Sequence, residues 1–300
     1  MAGIDVNRTT AGVSLPPAVA AEIWSAAEET SAAMQLANRI DLPGSGVTVD
    51  IITGEPEAEW VAETDEKPVS RPTLGNKLMT PYTLAVIVPF SNQFRRDKLR
   101  LYNELVRKLP QALSRKFDAT VFGGHAAPGS NFDTLNGAAA VDIATDPYAG
   151  LVAADQAIST GGGQLNGWAF APQGRGILLE ARDGFGRPLF TPSANTGGAV
   201  SQLLGQPVYM SKGVYRADAD GDGAGTAAQV GFAGDWSSAS WGSVEGVSVS
   251  VADQATLNDG GTQINLWQRN MFAVRAEIEV GFRVRDIAHF AKLTAEAQGS

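Results

Sequence analysis

The sequence predicts an α+β fold on three observations. From Phe94 to Phe122 the apolar residues Leu99, Tyr102, Leu105, Val106, Leu109, Leu113, Phe117 and Val121 recur at steps of three and four, which lines one face of a single long helix and leaves the other face basic. From Phe272 to Val284 apolar residues alternate with Arg275, Glu277, Glu279 and Arg283, the period of an unusually long strand. Between them, Asp146 to Asp235 mixes short apolar runs with a helical piece in a glycine-rich setting, as in a compact α/β or α+β unit.

Along the chain, Ser14 to Ile40 reads as a weakly amphipathic helix entered through Pro16-Pro17, an arm that needs another surface to lie on. After Pro43-Gly44, Val47 to Ile51 alternates as a strand, and a second extended run covers Asn76 to Val88. The connection of about 25 residues makes a long projecting hairpin, and loops of that length are uncommon without a task. The expected task is contact, marked by Trp60 and Val61.

Charge sharpens that expectation. Asp50 to Arg71 carries seven acids against two bases, a net −5, whereas Phe94 to Asp118 carries eight bases against three acids, a net +5. Opposite charges on an arm and a helix invite pairing, and the length of the arm favours pairing between chains. The candidate contact residues are Glu57, Glu59, Trp60 and Glu63 on the arm, with Arg95, Arg96, Arg107 and Lys108 on the helix.

The helix is expected to start at Ser91 or Asn92, to kink at Pro110 and to close at Gly123-Gly124, running roughly 43 Å at about 1.5 Å per residue. In the middle unit, Gly167–Phe170 and Pro207–Met210 read as strands and Gly174–Ala181 as helix. Val247–Val251 alternates as another strand, and the long strand after it would run roughly 50 Å, enough to lie beside the helix.

With 300 residues and 44% hydrophobic content the chain can bury one or two cores. It has no cysteine, so disulfides, thiolate sites and cysteine nucleophiles are excluded. A net charge of −9 argues against a dedicated nucleic-acid binder. Without a signal sequence or an apolar run of spanning length, the chain reads as soluble, cytoplasmically made and not a membrane protein.

Little points to catalysis. There is no Gly-x-Ser-x-Gly elbow and no Walker-type loop, and His125 and His289 make no metal set. Asp218, Asp220, Asp222 and Gly223 fit the opening of a calcium loop, but Gln229 stands where a bidentate glutamate belongs, so the stretch reads as an acidic loop tip. No enzyme, metal or cofactor is therefore expected. Trp236, Trp241 and Trp267 read as core or interface anchors.

Several stretches together resemble the major capsid proteins of tailed double-stranded-DNA bacteriophages, with the Hong Kong 97 type fold. They are Leu42-Pro43-Gly44, Thr53 to Val61, Lys67 to Ser70, Leu84 to Ser91, Leu204 to Val208, Gly234-Asp235-Trp236 and Arg275 to Phe290. The resemblance implies an N-terminal arm (1–43), an extended loop (44–90), a peripheral domain on the spine helix (91–145 and 236–284) and an axial domain (146–235 and 285–300). It also implies pentamers and hexamers of an icosahedral head around double-stranded DNA, with the loop of one subunit lying over its neighbour and no sequence-specific DNA binding. Portal and decoration proteins would be further partners, and the virion, assembled in the host bacterial cytoplasm, the location.

About forty residues precede the loop, too few for a folded scaffolding domain, so a separate scaffolding protein is expected. Some relatives join loop and neighbour by a lysine–asparagine isopeptide bond; Lys67 and Lys77 with Asn258 or Asn270 form no matched set, and no crosslink is expected. Two rival readings are an encapsulin-type nanocompartment shell and, from another class, a calcium-stabilised binding module around Asp218–Asp222.

Overall fold

The computed structural model describes residues 31–52, 58, 60, 61, 67, 69, 74–92, 98–182, 185–190, 202–217 and 227–295. In chain order these begin with α1 (Ala32–Leu36), β1 (Asn38–Asp41), β2 (Val47–Ile52), β3 (Leu74–Met79), β4 (Tyr82–Ser91) and α2 (Lys98–Val121). There follow β5 (Ala139–Asp142), α3 (Pro147–Thr160), β6 (Gly167–Phe170), α4 (Pro172–Glu180), β7 (Gln202–Leu203), β8 (Gln206–Met210) and β9 (Ala228–Gly234). The last strands are β10 (Ala239–Ser243), β11 (Ser248–Ala252), β12 (Thr256–Asp259), β13 (Thr262–Asn265), β14 (Met271–Val284) and β15 (Phe290–Ala295).

The long strand organises the first sheet. Residues Met271–Val280 of β14 pair antiparallel with all of β4 along one edge, while β10 and β11 share the other edge end to end. Phe272, Val274, Ala276, Ile278, Val280, Phe282 and Val284 are all buried, as the period-two pattern requires. They pack against Leu109, Leu113, Phe117 and Val121 of α2, so the strand and the helix share one core. Helix α2 continues unbroken through Pro110 and closes at Gly123, whose φ of +80° and close approach to Asn136 suit only glycine.

Two expectations near the N-terminus are corrected. Residues Asn38–Asp41 do not continue a helix; they form β1, held parallel to β10 in the first sheet. The run from Asn76 to Val88 is not one strand but two: β3 returns along β2 as the predicted hairpin, the chain turns at Thr80-Pro81, and β4 joins β14. Strand β4 lies at a sheet edge, which tolerates Pro89 because no ladder donor is needed there.

The second sheet has the order β5-β15-β9-β6-β8-β7 and carries α3 and α4. Its core is a separate cluster around Leu151, Ile158, Trp168, Phe170, Val230 and Leu293. The strands Gly167–Phe170 and Gln206–Met210 and the helix Pro172–Glu180 match the expected elements of this unit. Helix α3 is unanticipated; Asp146 caps it by accepting from the Ala149 amide at 3.1 Å, and Pro147 opens its first turn.

Candidate functional site

Three places bear on the candidate contact, beginning with the base of the β2–β3 hairpin. There Met79 is fully buried, and Gly46 and Gly281 close on it so tightly that a Cβ would lie 2.6 Å from Met79 O and 2.7 Å from Met79 Cγ. Arg283 clamps the same point. Its Nε and Nη2 donate to Leu78 O at 2.8 and 2.6 Å, Nη2 also to Asn131 Oδ1 at 2.9 Å, and Nη1 pairs with Asp133 Oδ1 at 2.7 Å. The pattern had placed Arg283 on an outward polar face; it is buried because a planar guanidinium can satisfy several acceptors at once. The other carboxylate oxygen of Asp133 accepts from the Val284 amide at 3.0 Å and lies 3.6 Å from Lys77 Nζ. Lys77 donates to Val284 O at 2.7 Å, so β3 is pinned to the end of β14 by two cations and one shared carboxylate.

A second junction holds the arm on the helix. Asp118 of α2 is fully buried; Oδ1 accepts from Ser31 Oγ at 2.6 Å and from the Ala33 amide at 3.2 Å, and Oδ2 from the Ala32 amide at 3.0 Å. Burial pushes its carboxyl above the usual carboxylate range, against the pull of hydrogen bonds from Ser211, Ser31, Ala32 and Ala33. Gly213 lets the turn after Ser211 close on the same spot, since a Cβ there would lie 2.6 Å from Asp118 Cβ.

The third place holds the candidate contact residues named from the sequence. Trp60 is fully exposed, Lys108 on α2 is exposed, and Arg115 and Lys116 extend the exposed basic face of the helix. Glu57, Glu59, Glu63, Arg95 and Arg96 lie outside the described residues, and the side chain of Arg107 on α2 lies outside the described set. The Asp218–Gly223 stretch is likewise outside it. Trp236 and Trp241 are buried in the first core, whereas Trp267 is exposed. His289 Nδ1 lies 2.9 Å from Ser238 Oγ, a packing contact, and among the described residues no cluster of three metal-ligating side chains occurs.

These junctions sit on a fold that comparison places. The phage capsid family model matches residues 11–295, nearly the whole chain. The chain belongs to the phage capsid family. The "Probable major capsid protein gp17" of Mycobacterium phage D29 is 29% identical over 303 residues, covering 95% of this chain and 91% of that protein. The protein of the same description in Mycobacterium phage L5 is 30% identical over 299 residues, covering 93% and 89%. A solved chain of Mycobacterium phage Ogopogo superimposes with a TM-score of 0.72 at 20% identity, covering 89% of this chain and 92% of that one. The α+β capsid fold and the resemblance drawn from the sequence are borne out, and the protein is a major capsid protein, a structural component of a phage virion.

The Gly234-Asp235-Trp236 motif has a physical reading within this fold. A Cβ on Gly234 would lie 2.2 Å from Phe290 Cδ1, Asp235 gathers the Gln164 amide, Asn166 and Ser237, and Trp236 packs at 5.3 Å from Phe290 and 6.1 Å from Phe122. The residues missed by sequence reasoning are Asp118 and Asp133. Both are acids next to buried elements, and nothing in local periodicity reveals a partner 87 or 150 positions away.

Proposed function

We propose that this major capsid protein assembles through its hairpin: the acidic stretch between β2 and β3 of one subunit lies over the basic face of α2 in the next. The opposite charges, −5 from Asp50 to Arg71 and +5 from Phe94 to Asp118, carry the reading, with Glu57, Glu59, Trp60 and Glu63 meeting Arg95, Arg96, Arg107 and Lys108. The subunits build pentamers and hexamers of an icosahedral head of the Hong Kong 97 type around double-stranded DNA. A separate scaffolding protein guides assembly in the host bacterial cytoplasm, and portal and decoration proteins complete the particle. Within this anatomy the pairing of β4 with β14 supports counting 82–90 with the peripheral domain, and the pairing of β5 with β15 supports counting 139–142 with the axial domain.

The test is charge reversal. Glu57→Lys, Glu59→Lys and Glu63→Lys together should abolish shells in light scattering and negative-stain images, and Arg107→Glu with Lys108→Glu should restore part of the yield. Normal shells from the triple reversal would refute the contact.

A further inference from the structure

Resting on that reading, we infer that the contact has an anchor: the Trp60 indole of one subunit inserts into a cavity of the next, between the C-terminal half of α2 and the start of β4.

The cavity, of about 240 Å³, is walled by Tyr82, Leu84, Phe117, Phe132 and Pro128. Pockets for small-molecule ligands run about 300–1,000 Å³, so this one suits a single large side chain. Its walls are already an edge-to-face cluster: Tyr82 meets Phe132 at 6.2 Å and 76°, and Phe132 meets Phe117 at 6.3 Å and 85°. An indole continues such a cluster better than an aliphatic group does. Lys116 and His125 line the same cavity and are exposed, which places a cation beside the incoming ring.

Trp60 is the fitting occupant. Its exposure is 105%, so the indole is entirely in water, and it sits in the stretch that joins β2 to β3. Glu57, Glu59 and Glu63 flank it in the sequence, and the exposed Lys116 lines the cavity, so apolar and ionic complementarity coincide. Trp60 is wholly exposed in its own subunit, so it does not fill the cavity of its own chain. The occupant is therefore a second copy. Insertion also sets the ionic register. Lys108 lies about 12 Å along the helix from Lys116, which lines the cavity.

The experiment compares wild type, Trp60→Phe, Trp60→Ala, Ala126→Phe and Trp267→Phe as full chains, with scaffold present where shells require it. Ala126 lines the cavity and is exposed, so phenylalanine there fills the space from within its own subunit without touching the core. The Trp60→Phe difference spectrum should show red-edge emission before assembly and a blue shift after it. Trp60→Ala and Ala126→Phe should each raise the critical concentration at least tenfold, as loss of a tryptophan hot spot does, and their combination should cost no more than either alone. Assembly of Trp60→Ala at the wild-type concentration overturns the anchor and leaves the capsid reading intact. A blue-shifted Trp60 in the unassembled subunit overturns it too, as does a shift that survives in Trp60→Phe and vanishes in Trp267→Phe. Failure of wild type to form shells under any condition defeats the reading beneath it.

Discussion

Replacing Asp133 by alanine tests whether the hairpin is aimed by the cluster at its base. The change leaves Arg283, with only 8% of its side chain exposed, charged and deprived of its one carboxylate. Removing one partner of a fully buried pair costs about 3–5 kcal/mol. Asp133 is 24% exposed, so water screens part of the pair, and the guanidinium keeps Leu78 O and Asn131 Oδ1. Discounted for both, and including about 1 kcal/mol for the Val284 amide that loses its acceptor, the loss is about 2–3 kcal/mol. At about 2–4 °C per kcal/mol the melting temperature of the unassembled subunit should fall by roughly 4–12 °C. The double variant Asp133→Ala with Arg283→Met removes both charges, so it should be no less stable than Asp133→Ala alone, giving a coupling energy of about 1–3 kcal/mol. Urea unfolding of the four proteins measures this cycle. Additive single effects, or a loss below about 0.5 kcal/mol for Asp133→Ala, would refute the reasoning.

Three further outcomes follow from the same contacts. Gly234→Ala drives a methyl group into Phe290, which is itself boxed in by Trp236, so unfolding should become easier by about 2–3 kcal/mol with no change in spectroscopic fold class. The raised carboxyl of Asp118 means that the folded state holds its proton to higher pH than the unfolded chain does. Its contribution to stability is fully present below about pH 4 and is lost as pH rises through the folded value. Asp118→Asn should lower stability yet flatten that slope, and equal slopes in melts from pH 4 to 7 would count against it. Finally, Lys77 is committed to Val284 O and Asp133 within its own chain, so boiled shells should run as intact monomers on a denaturing gel; a ladder would show a crosslink.

What could be read from sequence divides along a physical line. Strand β14 and helix α2 announce themselves because each buries one face along a regular period, and the hairpin β2–β3 because alternation brackets a polar connection. Strand β1 does not, since Asn38–Asp41 follows an alanine-rich run and becomes extended only through β10, some 200 residues later. Helix α3 buries mainly Gly150, Leu151, Ala154 and Ile158, a face too small and alanine-rich to stand out, although Asp146-Pro147 was a usable start signal. The hairpin β12–β13 was marked by Asn258-Asp259-Gly260-Gly261, whose two glycines take φ of +56° and +91°. Of the proposed contact surface, charge and Trp60 were visible as composition; the cavity was not, because its walls come from four separate segments.

The two sheets are joined in a way that decides where the subunit can adapt. Strand β9 of the second sheet passes through Asp235–Ser238 into β10 of the first, and β14 of the first passes through Arg285–His289 into β15 of the second. These two crossings bond to each other: the Arg285 amide donates to Ser238 O at 2.8 Å, the Asp235 amide to His289 O at 2.9 Å, and Trp236 closes the seam with its indole N–H on Gly167 O. A hinge there would break paired backbone bonds and expose a buried tryptophan, so the sheets move as one body. The arm is fixed to the same body by Asp118 and by β1.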